Sequence, residues 1–304
     1  MTNMTPTPLT LTLEWFLNPD HLPFIAGIYT GAYANAGLDI TMIEPTEHYD
    51  GFAELQAGNI DMHVNEPIHL FEHYFTDLKA LGCFFVTDGG VMIKQSSLDK
   101  LHQNQPIRIT TPAANPITNK IGFEILSRYA QKNGFVLDAA NVSFVETNFQ
   151  HLENLQKGND AGEFDGAWLC FYNFEGIEAN HIGLDYTFID QHLSPYPNFS
   201  ALELMTTHRI WADKKEAMQQ FVKVSTQMSQ LCTSQPEKAR EIYYGYTGET
   251  PSALMDDIIN DTLKRLIAPI QPDSERWSKL REMLTDLNIA NISDTDYAKL
   301  WQSR

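Results

Sequence analysis

Three stretches of this 304-residue chain concentrate side chains able to do chemistry. The first is Trp15-Phe16-Leu17-Asn18-Pro19-Asp20-His21. Trp15 offers a flat apolar face with one donor, Asn18 an amide that both donates and accepts, and His21 a second ring near a helix start. Together they suit a planar heteroaromatic ligand, although a core tryptophan and a helix-capping asparagine would use the same residues. The second stretch runs from Asn65 to His73. With a helix starting near Pro67, Glu66, His69 and His73 fall three and four apart and share a face, a spacing compatible with a divalent metal that His63 or Glu72 would help to close. Ligand contact by Asn65, Glu66 or His69 is favoured over metal binding, because these residues end a central strand. The third stretch, Phe164 to Gly176, passes from apolar strand into a polar set. There Asn173 and Glu175 lie two apart, on one side of the chain if it stays extended. A carboxylate beside an amide can accept from and donate to the amino group and ring nitrogens of an aminopyrimidine.

Other loops contribute less. Thr111-Pro112-Ala113-Ala114-Asn115-Pro116 contains no glycine, so it reads as a rigid capped turn rather than a phosphate cradle, with Asn115 and Thr118 as contacts. Ser194 to Phe199 brings Tyr196 and Asn198, and Tyr196 or Tyr172 is expected to supply an aromatic wall. Trp168 joins the candidate contacts. Neither GxGxxG nor GxxxxGK[ST] occurs, which disfavours a nucleotide-dependent enzyme. Cys83, Cys170 and Cys232 form no Cys-x-x-Cys pair and read as buried thiols.

The elements that must position these residues alternate between strand and helix. Leu9 to Trp15, Leu38 to Ile43 and Ile60 to Val64 read as strands. Between them lie helices over about His21 to Ala36, ended by Gly37, and Asp50 to Ala57, ended by Gly58. After the Asp88-Gly89-Gly90 turn the plan repeats: strands at Ile107 to Thr110, Val142 to Val145 and Gly166 to Cys170, helices at Thr118 to Asn133 and His151 to Lys157. A strand at Ala201 to Thr206 and a helical C-terminal region follow. The reading is α/β, with two lobes that are each an open, mostly parallel sheet flanked by helices. Residues 1–88 plus 200–304 form the first lobe and 89–199 the second, with a ligand cleft at the strand ends between them.

Composition narrows the classes. With 21 basic against 39 acidic residues and a formal charge of -18, the chain is a poor nucleic-acid binder, and no cationic cluster offsets this. Apolar residues at 43% and charged residues at 20% are those of a globular protein. No run approaches the ~18 apolar residues of a membrane span. The N-terminus lacks the basic start and apolar stretch of a leader, so the expected location is periplasmic or cell-surface if a leader was removed, and cytoplasmic if Met1 is the native start.

Trp15-x-x-Asn18-x-x-His21, the Ala57-Gly-Asn-Ile-Asp61 segment, and Asp165-Gly-Ala-Trp168 with Asn173 and Glu175 together resemble the NMT1/THI5-like family over roughly residues 9 to 245. The resemblance implies the type II periplasmic-binding-protein fold. It implies one of two activities, that of the formylaminopyrimidine-binding proteins of thiamin-precursor ABC transporters or that of the yeast-type synthases of the thiamin pyrimidine. The synthase branch consumes an active-site histidine, which His69 matches, and holds pyridoxal phosphate on a lysine, where this chain has Asn65. Its glycine-rich loop falls on Thr111 to Pro116 and its cysteine cluster on Ser200 to Leu204, without glycine or cysteine. The expectation is therefore a solute-binding protein for a small planar heterocycle such as a formylaminopyrimidine, without cofactor and with an ABC permease as a candidate partner. The alternatives are an enzyme on the same fold using His69 and Glu66, with pyridoxal phosphate or iron, a binder of sulfonate, nitrate or a flavin-like ligand, and a cytoplasmic carrier.

Overall fold

The computed structural model describes residues 5–45, 49–147, 150–158, 160 and 162–302. In chain order these form β1 (Thr7–Thr12), α1 (Leu22–Tyr29), α2 (Ala32–Asn35), β2 (Leu38–Ile43), α3 (Gly51–Ala57), β3 (Met62–Asn65), α4 (Pro67–Glu72) and β4 (Leu78–Val86). There follow β5 (Gly89–Lys94), α5 (Leu98–His102), β6 (Ile107–Thr111), α6 (Pro116–Lys132), β7 (Val142–Glu146), α7 (His151–Lys157), β8 (Gly166–Phe171), α8 (Ile177–His181) and β9 (Tyr186–Ile189). The chain ends with β10 (Ala201–Thr207), α9 (His208–Asp213), α10 (Lys215–Ser234), α11 (Pro236–Thr247), α12 (Ala253–Leu263), α13 (Ser278–Asp286) and α14 (Asp294–Leu300). No helix among the described residues is long and apolar enough to cross a membrane.

Two compact units result, one of Met1–Val86 with Ala201–Arg304 and one of Thr87–Ser200. The first has a five-stranded sheet in the order β2-β1-β3-β10-β4, with β1 parallel to β2 and β3, and β10 antiparallel to β3 and β4. Four strands thus run one way and one against them. The second unit repeats the plan as β7-β6-β8-β5-β9, with β5 as the reversed strand. This is the α/β, mostly parallel architecture that the alternating pattern predicts. Parallel strands need helical crossovers, and those crossovers cover the sheet faces.

In the first unit, buried Leu22, Ile25 and Ala26 of α1 pack against Ile242 and Tyr243 of α11 and Ile259 and Leu263 of α12. In the second, Leu152 and Leu155 of α7 pack against Ala167 and Cys170 of β8 and Met92 of β5. All three cysteines are buried and free.

The structure departs from the sequence reading in two places that matter locally. The single helix expected over His21 to Ala36 is two, because Gly31 sits at φ +73° and breaks the hydrogen-bonded run between α1 and α2. The glycines expected to form a turn at 89–90 instead begin β5. A Cβ on Gly89 would lie 1.7 Å from Ser200 Oγ, and one on Gly90 would lie 2.1 Å from the Ile189 carbonyl oxygen, so the strand needs glycine for close approach.

Strand β8 contains the device that sets up the second unit's site. Alternation would place Ala167 and Leu169 on one face and Trp168 and Cys170 on the other. Yet Ala167 and Cys170 both face α7, while Trp168 turns to α6 and donates from Nε1 to the Thr118 carbonyl at 3.0 Å. The register against β5 shifts at this point, and Leu169 adopts φ +62°, a conformation that costs a branched side chain about 1–2 kcal/mol. This bulge reverses the phase of every residue after it.

Candidate functional site

Each unit gathers polar groups where its central strands end. In the first unit, the chain leaving β1 folds into a short 3-10 turn, Pro19–His21, capped by Asn18. The Asn18 Oδ1 accepts the Asp20 N–H at 2.9 Å and its Nδ2 donates to the Phe16 carbonyl at 3.0 Å. The Asn18 N–H points at His21 Nδ1 at 3.3 Å, and His21 Nε2 meets both Glu14 carboxylate oxygens at 3.1 Å. His21 is fully buried. Asn18 and His21, expected to touch a ligand, thus spend their hydrogen-bonding capacity on their own loop. Asp20, also buried, is pushed up to about 7 by desolvation despite the nearby His21. In the aromatic part of the loop, Trp15 is half-buried and packs at 4.2 Å against Phe16, which is 47% exposed.

The end of β3 is built in the same way. Buried His63 bridges Thr12 Oγ1 at 2.8 Å and Asn65 Nδ2 at 3.1 Å, and burial lowers its pKa to about 4. The Asn65 Oδ1 accepts the Glu66 N–H at 2.8 Å. Glu66 is half-exposed by area, yet neighbouring atoms crowd its carboxyl, and desolvation pushes it up to about 7 with Glu14 adding to the effect and His69 opposing it. The expected face of Glu66, His69 and His73 does not form. Glu66 is the extended N-cap at φ -67°, ψ 148°, outside the helix. His69 Nδ1 instead bonds Glu72 at 3.0 Å, so His69, Glu72 and His73 are the residues whose donor atoms converge. Burial alone would lower the His69 pKa; the Glu72 hydrogen bond and the Glu66 and Glu72 charges outweigh it and leave it raised.

In the second unit the chain does not stay extended after Phe171. Residues Tyr172–Gly176 form a single π-helical turn, which sends Asn173 and Glu175 to different sides. Both are buried. The Glu175 carboxylate accepts the Phe171 N–H at 2.8 Å through Oε2 and meets His151 Nδ1 at 3.1 Å through Oε1. His151, the first residue of α7, is 3% exposed, and its Nε2 has no hydrogen-bond partner among the described residues. A carboxylate can only accept, so Nδ1 carries a proton, and in the neutral form of the ring Nε2 presents a lone pair.

Glu175 and His151 border a pocket of about 250 Å³ completed by Gln150, Leu152, Glu153 and Glu178. The Glu178 carboxyl is raised by partial desolvation and by the Glu175 charge, against a smaller opposing effect of His151. The pocket is therefore lined mainly by carboxylates, those of Glu153, Glu175 and Glu178. It suits a ligand rich in N–H donors or weakly cationic, and it opposes an anion.

The remaining expected contacts are turned inward or used as scaffold. Trp168 is a core residue at 1% exposure, Tyr196 is buried with its hydroxyl donating to the Gly89 carbonyl, and Asn198 spans Thr87 O at 2.7 Å and Ser200 N at 3.1 Å. The aromatic wall expected from Tyr196 is absent because that ring closes the turn into β5. Tyr172 is half-buried, edge-on to Phe188 at 5.8 Å. Exposed Asn115 caps α6, its Oδ1 accepting from Ile117 N and Thr118 N, so Thr111 to Pro116 is a capped turn. His151 and Glu178 escaped the sequence reading. The signal for His151 is a histidine opening a helix just after a parallel strand, the position at which open sheets place ligand contacts.

The NMT1/THI5-like family model matches residues 18–239. A Legionella pneumophila protein named 4-amino-5-hydroxymethyl-2-methylpyrimidine phosphate synthase is 21% identical over 289 residues, covering 92% of this chain and 87% of its own. Among solved structures, the periplasmic aliphatic sulphonate binding protein SsuA of Escherichia coli superposes with a TM-score of 0.69 at 12% identity, over 98% of this chain and 92% of that one. A Candida albicans protein described as having the generic periplasmic binding protein fold superposes with a TM-score of 0.67 at 16% identity, over 97% and 94% of the two chains. At these identities the structures speak for the fold, which is the two-lobed binding-protein architecture read from the sequence.

Proposed function

Because this chain belongs to the NMT1/THI5-like family, we propose that it is a binding protein for a small aminopyrimidine of the thiamin-precursor type. The observation that carries this reading is the acidic pocket of the second unit, bordered by Glu175, Glu178 and buried His151, whose Nε2 has no hydrogen-bond partner among the described residues. An aminopyrimidine supplies N–H donors to the imidazole nitrogen and the carboxylates, and its ring gains positive charge where these groups are close. A sulfonate brings three acceptor oxygens and a full negative charge to the same groups, with nothing to pair it. The reading extends to an ABC permease as the partner that receives the loaded protein.

Synthesis of the pyrimidine is the second reading, and the name of the Legionella relative is what favours it. The residues present do not fit pyridoxal phosphate. Asn65 stands where the family resemblance implies a lysine, and its amide is tied to His63 and the Glu66 N–H, so no amine is available for a Schiff base. The Thr111 to Pro116 turn is closed by the Asn115 cap rather than open to a phosphate. Binding without chemistry is thus the better supported function. In a thermal-shift titration, 4-amino-5-hydroxymethyl-2-methylpyrimidine and its formylamino relative raise the melting temperature with the logarithm of concentration above saturation, while methanesulfonate and nitrate do not. The reverse ranking overturns the proposal.

A further inference from the structure

We propose that His69, Glu72 and His73, at the end of α4 in the first unit, form a three-ligand site for a zinc-class divalent cation. One donor atom from each lies within 4.8 Å of the others. Two separations are closer: His69 Nδ1 to Glu72 Oε2 is 3.0 Å and His73 Nε2 to the same oxygen is 3.9 Å. Ligands about 2.1 Å from a tetrahedral zinc are about 3.4 Å apart, so the two values bracket the separation a bound ion requires.

Local structure explains why the three converge. Residues 69, 72 and 73 are one helical turn apart in the i, i+3, i+4 relation, so their side chains leave the same face. The His73 ring lies at 23° to Phe52 with centroids 5.0 Å apart, which fixes its plane before any ion arrives. The side chains of His69, Glu72 and His73 are 37%, 21% and 47% exposed, so an ion has direct access. Two imidazoles and one carboxylate are borderline donors that suit zinc better than calcium or magnesium, and three protein ligands leave the fourth position open. The second cluster of similar composition, Asp88, Asp190 and His192, lacks this readiness. Asp190 Oδ1 already accepts the N–H groups of His192 and Leu193, and Asp88 Oδ1 is held by the Gln191 amide.

The site is tested with zinc chloride alone, titrated calorimetrically into full-length protein freed of metal by a chelator. The expected result is one ion per chain, with affinity at least about tenfold weaker in His73→Ala and in Glu72→Gln and unchanged in His192→Ala. His73 is half exposed, and a circular-dichroism melt of each variant shows that the fold is kept. Absence of stoichiometric zinc in the unaltered protein overturns the proposal. So does an unchanged affinity in the His69→Ala/His73→Ala double variant. Neither result bears on pyrimidine binding in the second unit, because no pyrimidine is present.

Discussion

Glu175→Gln lowers affinity for an aminopyrimidine by about a hundredfold while the melting temperature stays within a few degrees of the parent. The substitution keeps the acceptor for the Phe171 N–H and the volume of the side chain. It replaces the oxygen facing His151 Nδ1 by an amide nitrogen, which donates. A neutral imidazole must then accept at Nδ1 and carry its proton on Nε2, so the ring presents an N–H in place of a lone pair. A ligand that donates to that position meets a donor, and one negative charge has gone. Each lost or mismatched hydrogen bond is worth about 1–2 kcal/mol, and two together give the stated factor. Calorimetric affinities for parent and variant, measured beside their melting curves, check this. Equal affinities would remove Glu175 and His151 from the site.

The second large effect is on stability. Glu203 lies in β10 at 1% exposure, with Oε2 accepting from Trp277 Nε1 at 3.0 Å and Oε1 without a hydrogen-bond partner among the described residues. Burial pushes its pKa up to about 8, although the Trp277 bond and Arg276 pull the other way. Below the unfolded value near 4.5 the carboxyl is neutral in both states and has no effect on the pH dependence. As pH rises from there towards 8, the unfolded chain ionises while the folded one stays protonated. Stability therefore falls by about 1.4 kcal/mol per pH unit, up to about 5 kcal/mol in all. Glu66 and Asp20, both raised to about 7, add losses of the same sign over a narrower range. Glu203→Gln cannot ionise. The variant is expected to match the parent near pH 4.5 and to exceed it by several kcal/mol at pH 8.5 in urea denaturation. Parallel pH profiles would show that Glu203 ionises as freely in the folded protein as in the unfolded one.

Much of the architecture is legible in the sequence because glycine marks the helix ends. Gly37 and Gly58 stop the first crossovers at φ +78° and +81°, and Gly134 ends α6 at +80°. The same logic misleads at 89–90, where glycine serves close strand packing, and at Gly31, where it breaks a helix that hydrophobic spacing would continue. The site is legible in its residue types but not in its directions. Asn18, His21 and Asn198 have the chemistry of ligand contacts, yet each accepts from a backbone N–H of its own turn, a competition that sequence spacing does not reveal. An extended segment would put Asn173 and Glu175 on one side, whereas the chain turns there and Glu175 bonds His151. Only the bulge at Leu169 and the π turn after Phe171 bring it to His151, 24 residues away in sequence.

Binding of an N–H-rich heterocycle in the acidic pocket is checked by calorimetric titration of the unaltered protein with 4-amino-5-hydroxymethyl-2-methylpyrimidine beside an alkanesulfonate. One saturable site for the pyrimidine is expected, with a Kd of about 1 μM or tighter, and no saturable heat from the sulfonate. Saturable binding of the sulfonate with none of the pyrimidine would contradict it.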